Sequence, residues 1–199
     1  MNVISELGNQ ILEIVSNWGL PNGSHFQQGL NEQQLATHSR FYSHFHATEL
    51  EHLFSWRNGF DRNSAASMAN LWLVPDWLLL SLEDVELERD YYAKHIHDWR
   101  EEWYPLLSNG TADRLFIDQS RITKFQVSVS YAFWESPQPI GQIYDNIEAM
   151  LRTYLVCYQR RAFYVDSDGC LNRHFRQEVA ISRELNPKSD YWRREDLCS

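Results

Sequence analysis

The stretch that most constrains the fold is KFQVSVSYAF, residues 124–133. Aromatic or aliphatic side chains occupy every second position from Phe125 to Phe133, and Gln, Ser and Ala fill the positions between them. Such strict alternation is typical of a β-strand, whose successive side chains point to opposite faces, so one face of this strand is expected to lie on a core. The apolar run Leu115-Phe116-Ile117 predicts a second strand shortly before it.

Helical patterns lie on both sides of these strands. Helices are predicted over 3–16 and 31–46, after capping boxes at Thr48 and Ser81, after Asp145, and over 172–184. Three of them precede any clear strand, so the N-terminal region is expected to be helical. The helix after Thr48 is expected to stop at Asn58-Gly59. The helix after Ser81 is expected to run as far as Pro105, because Trp103 falls on its apolar face.

Shorter sequence patterns predict the remaining strands and turns. The apolar runs on either side of Pro75-Asp76 fit two brief strands, or one strand and a bend. Ser136-Pro137-Gln138-Pro139 is expected to break the long strand, and Asp145 to cap the helix that follows. Phe163-Tyr164-Val165 predicts a final short strand, closed by a turn at Asp168-Gly169.

Size and composition exclude two broad classes of protein. A chain of 199 residues and 23.6 kDa fits one domain, and 43% apolar with 14% aromatic residues excludes wholesale disorder. The formal net charge of -9 opposes approach to a phosphate backbone, so nucleic-acid binding is not expected. Residues 1–151 carry this bias, with 20 acidic and 9 basic side chains.

The N-terminal residues and the cysteines bear on location. Residues 1–7 contain neither a basic segment nor an unbroken apolar one, and no apolar run approaches the length of a membrane span. The sequence has three cysteines, Cys157, Cys170 and Cys198, which is an odd number, and none of them forms a Cys-x-x-Cys motif. Both facts argue against a disulfide framework or a zinc knuckle. We therefore expect a cytoplasmic protein with reduced thiols and no membrane association.

No motif points to catalysis, a metal or a cofactor. Histidines stand at positions 38, 44, 46, 52, 95 and 97, but i,i+2 pairs on a helix point to different faces and no His-Glu-x-x-His occurs. Asp166-Ser167-Asp168-Gly169 opens like a calcium loop, yet Cys170, Leu171 and Gln177 stand where that loop needs a ligand, a Gly and a Glu. Nucleophile elbows, phosphate loops and dinucleotide fingerprints do not occur. We expect no catalytic residues, no metal and no cofactor.

The strongest local charge bias lies in residues 76–102, which hold nine acidic and three basic side chains. Tyr91, Tyr92, Trp99 and Trp103 are interleaved with these charges, a makeup from which binding hot spots are often built. The alternative is that these aromatic side chains belong to the core. The candidate partner-binding residues are Glu83, Asp84, Glu86, Glu88, Asp90, Asp98, Glu101 and Glu102.

Six short fragments follow one another in an informative order. They are Asn58-Gly59-Phe60, Leu80-Ser81-Leu82-Glu83, Trp103-Tyr104-Pro105-Leu106, Leu115-Phe116-Ile117-Asp118, Tyr144-Asp145-Asn146-Ile147 and Phe163-Tyr164-Val165-Asp166. Over roughly residues 40–170 their order resembles that of the SUKH superfamily, which includes fungal cell-wall assembly regulators and many bacterial immunity proteins. The chain departs from the family at Asn146, where Ser is usual, and in its longer polar N-terminal region.

The resemblance implies a fold and a way of acting. It implies an α+β fold with a central, mostly antiparallel sheet flanked by helices, and no catalytic residues. Residues 1–199 would form a single SUKH-like domain, with a polar helical extension over about 1–46 and a polar C-terminal tail. Its members are thought to act by binding other proteins.

For bacterial members, the resemblance implies neutralisation of a cognate toxin, often a nuclease. An acidic surface suits that role because a nuclease needs a basic surface to hold phosphates. Lysine substitution of Glu83, Asp84, Glu86 and Glu88 is then expected to abolish binding while the fold survives. Two alternatives stay open: a regulatory scaffold of the cell-wall assembly regulator type, and an unrecognised hydrolase that uses His and carboxylate groups in a pocket.

Overall fold

The computed structural model describes eight parts of the chain. They are residues 2–38, 48–64, 71–97, 99–100, 102–111, 113–123, 126–133 and 136–198. The helices in these parts are α1 (Val3–Asn17), α2 (Glu32–Thr37), α3 (Thr48–Trp56), α4 (Leu82–His95), α5 (Ile147–Gln159) and α6 (Phe175–Leu185). The strands are β1 (Phe26–Gln28), β2 (Arg57–Phe60), β3 (Leu78–Leu79), β4 (Trp103–Ser108), β5 (Arg114–Thr123), β6 (Gln126–Phe133), β7 (Ser136–Tyr144), β8 (Phe163–Val165) and β9 (Leu171–Arg173).

A five-stranded antiparallel sheet, in the order β3-β4-β5-β6-β7, forms the centre of the fold. Helix α4 packs on β4, and α5 packs on β6 and β7, while α1 packs on α5 and α3. Two smaller antiparallel sheets pair β1 with β2 and β8 with β9. The predicted α+β class, with an antiparallel sheet flanked by helices and a helical N-terminal region, is confirmed.

Strand β5 shows why the sheet needs cover on both sides. Leu115 and Ile117 belong to the main core, whereas Phe116, between them, packs against Trp103 in a second apolar cluster. Alternating side chains point to opposite faces of a strand, so burial of all three requires packing on each face. Both predicted strands are confirmed as β5 and β6, although Phe125 and the side chains of 126–133 fall outside the described part.

The helix predicted after Ser81 is confirmed at its start and wrong at its end. Ser81 Oγ accepts a hydrogen bond from the Asp84 N–H at 3.1 Å, as the capping box requires. The helix ends at His95, and Trp103 begins β4, in which all six residues are buried. Strand β4 pairs with β5 along its edge and α4 packs on it, and these long-range contacts outweigh the helical spacing of its first Trp.

Helix α3 ends at Trp56, two residues before the predicted stop, and Asn58-Gly59 forms part of β2. Asn58 is 2% exposed; its Oδ1 accepts from the Leu82 N–H at 2.9 Å and its Nδ2 donates to Glu83 Oε2 at 3.0 Å. Gly59 adopts φ +71° directly against the backbone of Leu80 and Ser81. The first two fragments of the SUKH-like series are thus in contact, and they fix the start of α4.

The structure shortens one predicted helix and decides between the two alternatives around Pro75-Asp76. Helix α2 ends at Thr37, and the rest of the predicted 31–46 helix falls on residues 39–47, outside the described part. Around Pro75-Asp76 the structure adopts one strand and a bend: β3 follows a turn in which the Trp77 N–H donates to the Val74 carbonyl. Pro75 and Asp76 occupy the middle of that turn, and Asp76 has φ +69°.

The C-terminal half requires three corrections. Ser136-Pro137-Gln138-Pro139 begins β7, an edge strand of the central sheet, where missing N–H donors are tolerated. The cap of α5 is Asn146, whose Oδ1 accepts from the Ala149 N–H at 2.7 Å, and not Asp145. Phe163–Val165 is not the final strand, because Leu171–Arg173 pairs with it as β9 across the predicted Asp-Gly turn. The last α-helix therefore begins at Phe175, three residues after the predicted start.

Candidate functional site

Helix α4 carries most of the predicted partner-binding carboxylates, and the end of α2 reaches two of them. His38 Nδ1 lies 3.0 Å from Glu86 Oε2, and His38 Nε2 lies 3.5 Å from Glu83 Oε1. Partial burial opposes the charge of Glu83, yet hydrogen bonds, foremost that from Asn58, hold its pKa below the usual value. These two carboxylates therefore already have intramolecular partners.

Two further carboxylates of α4 are parts of the packed structure. Asp84 is 4% exposed and its Oδ2 lies 2.8 Å from Arg62 Nε. Glu88 accepts two hydrogen bonds from Arg114, at 2.6 Å from Nε and 3.2 Å from Nη2. Lysine substitution of Asp84 and Glu88 would leave like charges facing Arg62 and Arg114, so charge reversal at these positions tests the fold as well as binding.

The remaining predicted residues divide into exposed and undescribed ones. Asp90 has a side chain that is 45% exposed, with Arg89 Nη1 3.7 Å away. Glu102 is exposed and lies beyond the helix, just before β4. Asp98 and Glu101 lie outside the described residues.

Two exposed apolar residues share the outer side of α4. Leu87 is 65% exposed and Tyr91 is 50% exposed, and a spacing of four places them one turn apart. Glu83, four residues before Leu87, and Asp90, three residues after it, fall on the same side of the helix. We call these four residues the α4 face. Sequence analysis missed Leu87, whose signal was an apolar residue on the otherwise polar side of the helix.

A second candidate site is a cavity of about 320 Å³ between the end of the central sheet, α5, α6 and the C-terminal segment. Its apolar wall consists largely of aromatic side chains, namely Trp77, Tyr144, Tyr154, Phe175, Tyr191 and Trp192. Its polar wall consists of Asp76, Asn109, Thr111, Asp113, Arg173 and Glu178. We call it the Glu178 cavity. Sequence analysis missed it, because its walls come from six separated segments of the chain.

A network of ionic groups lines one side of the Glu178 cavity. Arg173 Nη2 lies 2.7 Å from Asp76 Oδ2, and Arg173 Nη1 lies 3.5 Å from Glu178 Oε2. Asp76 has the left-handed conformation of the turn between Val74 and Trp77, which is uncommon for a residue other than Gly. Glu178 is 6% exposed, and its Oε2 makes no well-formed hydrogen bond.

Burial sets the protonation of this cavity. Burial raises the pKa of Glu178 to about 7, because the nearby Arg173 offsets only part of the cost of a buried charge. Burial likewise raises the pKa of Tyr144, Tyr154 and Tyr191, which therefore stay protonated at neutral pH. The cavity thus has one carboxyl group that titrates near neutrality and three tyrosine hydroxyls that do not.

The residues that line this cavity bear on the hydrolase alternative. Among the described residues that line it, none is a His, Ser or Cys, so the combination of imidazole and carboxylate expected of a hydrolase is not assembled there. Within the described parts of the chain, no three His, Cys, Asp or Glu side chains form a group that could hold a metal ion. The described helices are also all too short or too polar to span a bilayer.

Searches against protein-family models and against curated proteins return no match to this chain.

The raised pKa of Glu178 predicts a specific dependence of stability on pH. The folded protein binds this proton more tightly than the unfolded chain, so stability falls as pH rises from about 4.5 to about 7. The full difference is roughly 3 kcal/mol, at about 1.4 kcal/mol for each unit of pKa. Urea unfolding of the wild type and of Glu178→Gln gives the free energy of unfolding of each at several pH values in this range. The variant is expected to become more stable relative to the wild type as pH rises.

Glu184→Gln is the matched control, since Glu184 lies on the same helix but its side chain is 54% exposed in a surface pair with Arg160. Hydrogen bonding to Arg160 lowers the pKa of Glu184, so its titration falls below this pH range. The control is expected to follow the slope of the wild type. Parallel curves for the wild type and Glu178→Gln would show that Glu178 is ionised in the folded protein throughout.

Proposed function

We propose that this protein catalyses no reaction and acts in the cytoplasm by binding another protein on the α4 face. In line with its resemblance to the SUKH superfamily, we propose that the partner is a basic toxin, such as a nuclease, which this protein neutralises as an immunity protein. The observation that carries the proposal is the exposure of Leu87 and Tyr91, one turn apart on a helix rich in carboxylates.

The α4 face has the composition of a binding hot spot. An exposed aromatic residue beside an exposed aliphatic one on the same side of a helix offers an anchor for a partner's pocket. Tyr91 also packs its ring 5.7 Å from that of Tyr92, which is buried, so its position is constrained before a partner arrives. Binding then costs less side-chain entropy.

Charge around the α4 face favours a basic partner. Glu83 and Asp90 flank the two apolar residues, and the chain as a whole carries a net charge of -9. A field of this sign accelerates encounter with a cationic protein and repels nucleic acid. If a nuclease binds here, the surface with which it otherwise holds phosphates would face these carboxylates.

Partner capture followed by mutagenesis tests this proposal. The tagged chain is used to capture its partner from the native host, and the affinity of the purified pair is then measured by calorimetry. Joint replacement of Leu87→Ala and Tyr91→Ala is expected to weaken binding by about 100-fold or more, because hot-spot residues contribute at least 2 kcal/mol each. Unfolding in urea should change by no more than about 0.5 kcal/mol, since both side chains are exposed.

Two control variants separate the α4 face from the rest of the surface. Val3→Ala removes an exposed apolar side chain from α1 and should leave affinity unchanged. Glu13→Gln and Asp90→Asn each remove one negative charge. Only Asp90→Asn is expected to slow association with the partner, because Asp90 belongs to the α4 face. Full affinity in the double variant would exclude the α4 face. A partner that is harmless when expressed alone would exclude the immunity role, and many weak partners would favour the regulatory scaffold.

A further inference from the structure

We propose that the Glu178 cavity is a binding site for a small organic cation: a primary ammonium group on a short apolar body that also carries a hydrogen-bond acceptor. The proposal does not depend on partner binding at the α4 face, because none of the cavity's lining residues belongs to α4.

The charge of the cavity selects a cation. Among the described residues that line it, three carry carboxyl groups, Asp76, Asp113 and Glu178, and one carries a guanidinium, Arg173. That guanidinium is already engaged, at 2.7 Å from Asp76 and 3.5 Å from Glu178. An anionic ligand would have to displace a carboxylate from Arg173, whereas a cation meets an excess of negative charge.

Two buried polar atoms in the wall point to a ligand. Glu178 Oε2 is a buried acceptor whose ion-pair partner, Arg173 Nη1, lies 3.5 Å away, too far for a well-formed hydrogen bond, and Trp192 Nε1 is a buried donor without an acceptor. Their residues are 6% and 5% exposed, and orphan groups at such depth are costly unless something satisfies them. An ammonium group has three donors for the carboxylate, and an oxygen on the same ligand would accept from the indole.

The walls suit the apolar part of such a ligand. Six aromatic side chains line the cavity, and aromatic faces attract ammonium groups as well as hydrocarbon. A volume of about 320 Å³ lies at the lower end of the usual range for small-ligand sites, about 300–1,000 Å³, which favours a ligand of a few carbons. Glu178, at the end of the network with Asp76 and Arg173, would hold the charged end.

The protonation of Glu178 supports the same assignment. With its pKa raised to about 7, this carboxyl group is partly protonated at neutral pH, and an ammonium beside it would drive the proton off. The charged and titratable groups that face it are Arg173, Asp76, Tyr144, Tyr154, Tyr191 and Cys157. Burial raises the pKa of the four hydroxyl and thiol groups among them, so they stay neutral over the range in which Glu178 titrates.

Matched five-carbon probes test the proposal on the full chain. Pentylamine, 5-amino-1-pentanol, 1-pentanol and pentanoate share one apolar body and differ in charge and in the acceptor. Binding is followed by calorimetry and by tryptophan fluorescence, since Trp77 and Trp192 line the cavity. The two amines are expected to bind and the alcohol and the acid to bind at least tenfold more weakly, with 5-amino-1-pentanol the tightest. Binding of both amines is expected to strengthen from about pH 6 to pH 8.

Three variants locate the site. Glu178→Gln should weaken both amines by at least tenfold and remove the pH dependence. Glu184→Gln, on the same helix but outside the cavity, should leave affinity unchanged. Trp192→Phe should remove only the advantage of 5-amino-1-pentanol over pentylamine, and it serves as a second test if Glu178→Gln folds poorly. Equal or tighter binding of pentanoate, no amine binding, or unchanged affinity in both cavity variants would each overturn the proposal.

Discussion

Gly59→Ala is expected to destabilise the protein by about 4 kcal/mol or more. A left-handed conformation costs a residue with a Cβ atom about 1–2 kcal/mol, and Gly59 has φ +71°. The added Cβ would also lie 2.2 Å from the Ser81 N and 2.4 Å from the Leu80 carbonyl carbon, both backbone atoms that cannot rotate away. Total stabilities are usually about 5–15 kcal/mol, so the variant would lose a large share of its free energy of unfolding.

Gly19→Ala is the matched control for Gly59→Ala. Gly19 has φ +80°, but nothing lies within 4 Å of the position its Cβ would take. This variant should lose only the conformational part, about 1 kcal/mol. Urea unfolding of both variants, followed by far-ultraviolet circular dichroism, separates backbone strain from the close approach of β2 to the start of α4. Equal losses of stability in the two variants would mean that the backbone at this contact adjusts to the added Cβ without further loss of stability.

Glu88→Ala is expected to destabilise the protein by about 3 kcal/mol, because it leaves the buried guanidinium of Arg114 without its carboxylate. Arg114 is 8% exposed, and besides its two bonds to Glu88 it donates to the carbonyls of Thr111 and Asp113, each at 2.8 Å. Those two bonds cannot neutralise the charge. The pair therefore fastens α4 to the start of β5.

Glu148→Ala provides the comparison at the surface. Glu148 pairs with Arg152 at 2.6 Å in an i,i+4 arrangement, with side chains 36% and 53% exposed, and its loss should cost no more than about 1 kcal/mol. Replacing both partners of the buried pair, with Glu88→Leu and Arg114→Met, should recover most of the loss, since no unpaired charge remains. A loss at Glu88 as small as at Glu148 would show that water solvates Arg114 when its partner is removed.

These expectations change how the acidic segment is tested. Among the predicted partner-binding residues, Asp84 and Glu88 hold the fold through Arg62 and Arg114, so their reversal to Lys would weaken binding indirectly. Leu87 and Tyr91 allow a cleaner test because their side chains are exposed. Net charge alone singled out this helix as a candidate, but it did not identify which of its side chains face solvent.

Local patterns in the sequence determined the kind of several main elements. Alternation over 125–133 predicted β6, the box at Ser81 predicted the start of α4, and the apolar spacing over 3–16 predicted α1. Such signals depend on residues within a turn or two of one another, and the sequence states them directly. The acidic bias of 76–102 likewise needs no structure to be seen.

Long-range contacts decided the rest. Helix α4 ends at His95 because Trp103 and its neighbours pair with β5, and Glu88 is internal because Arg114 lies beneath it. The Glu178 cavity exists only where segments that are far apart in sequence meet around one buried carboxyl group. Burial, ion pairing and a raised pKa depend on which distant residues come together, and so the tertiary structure alone assigned them.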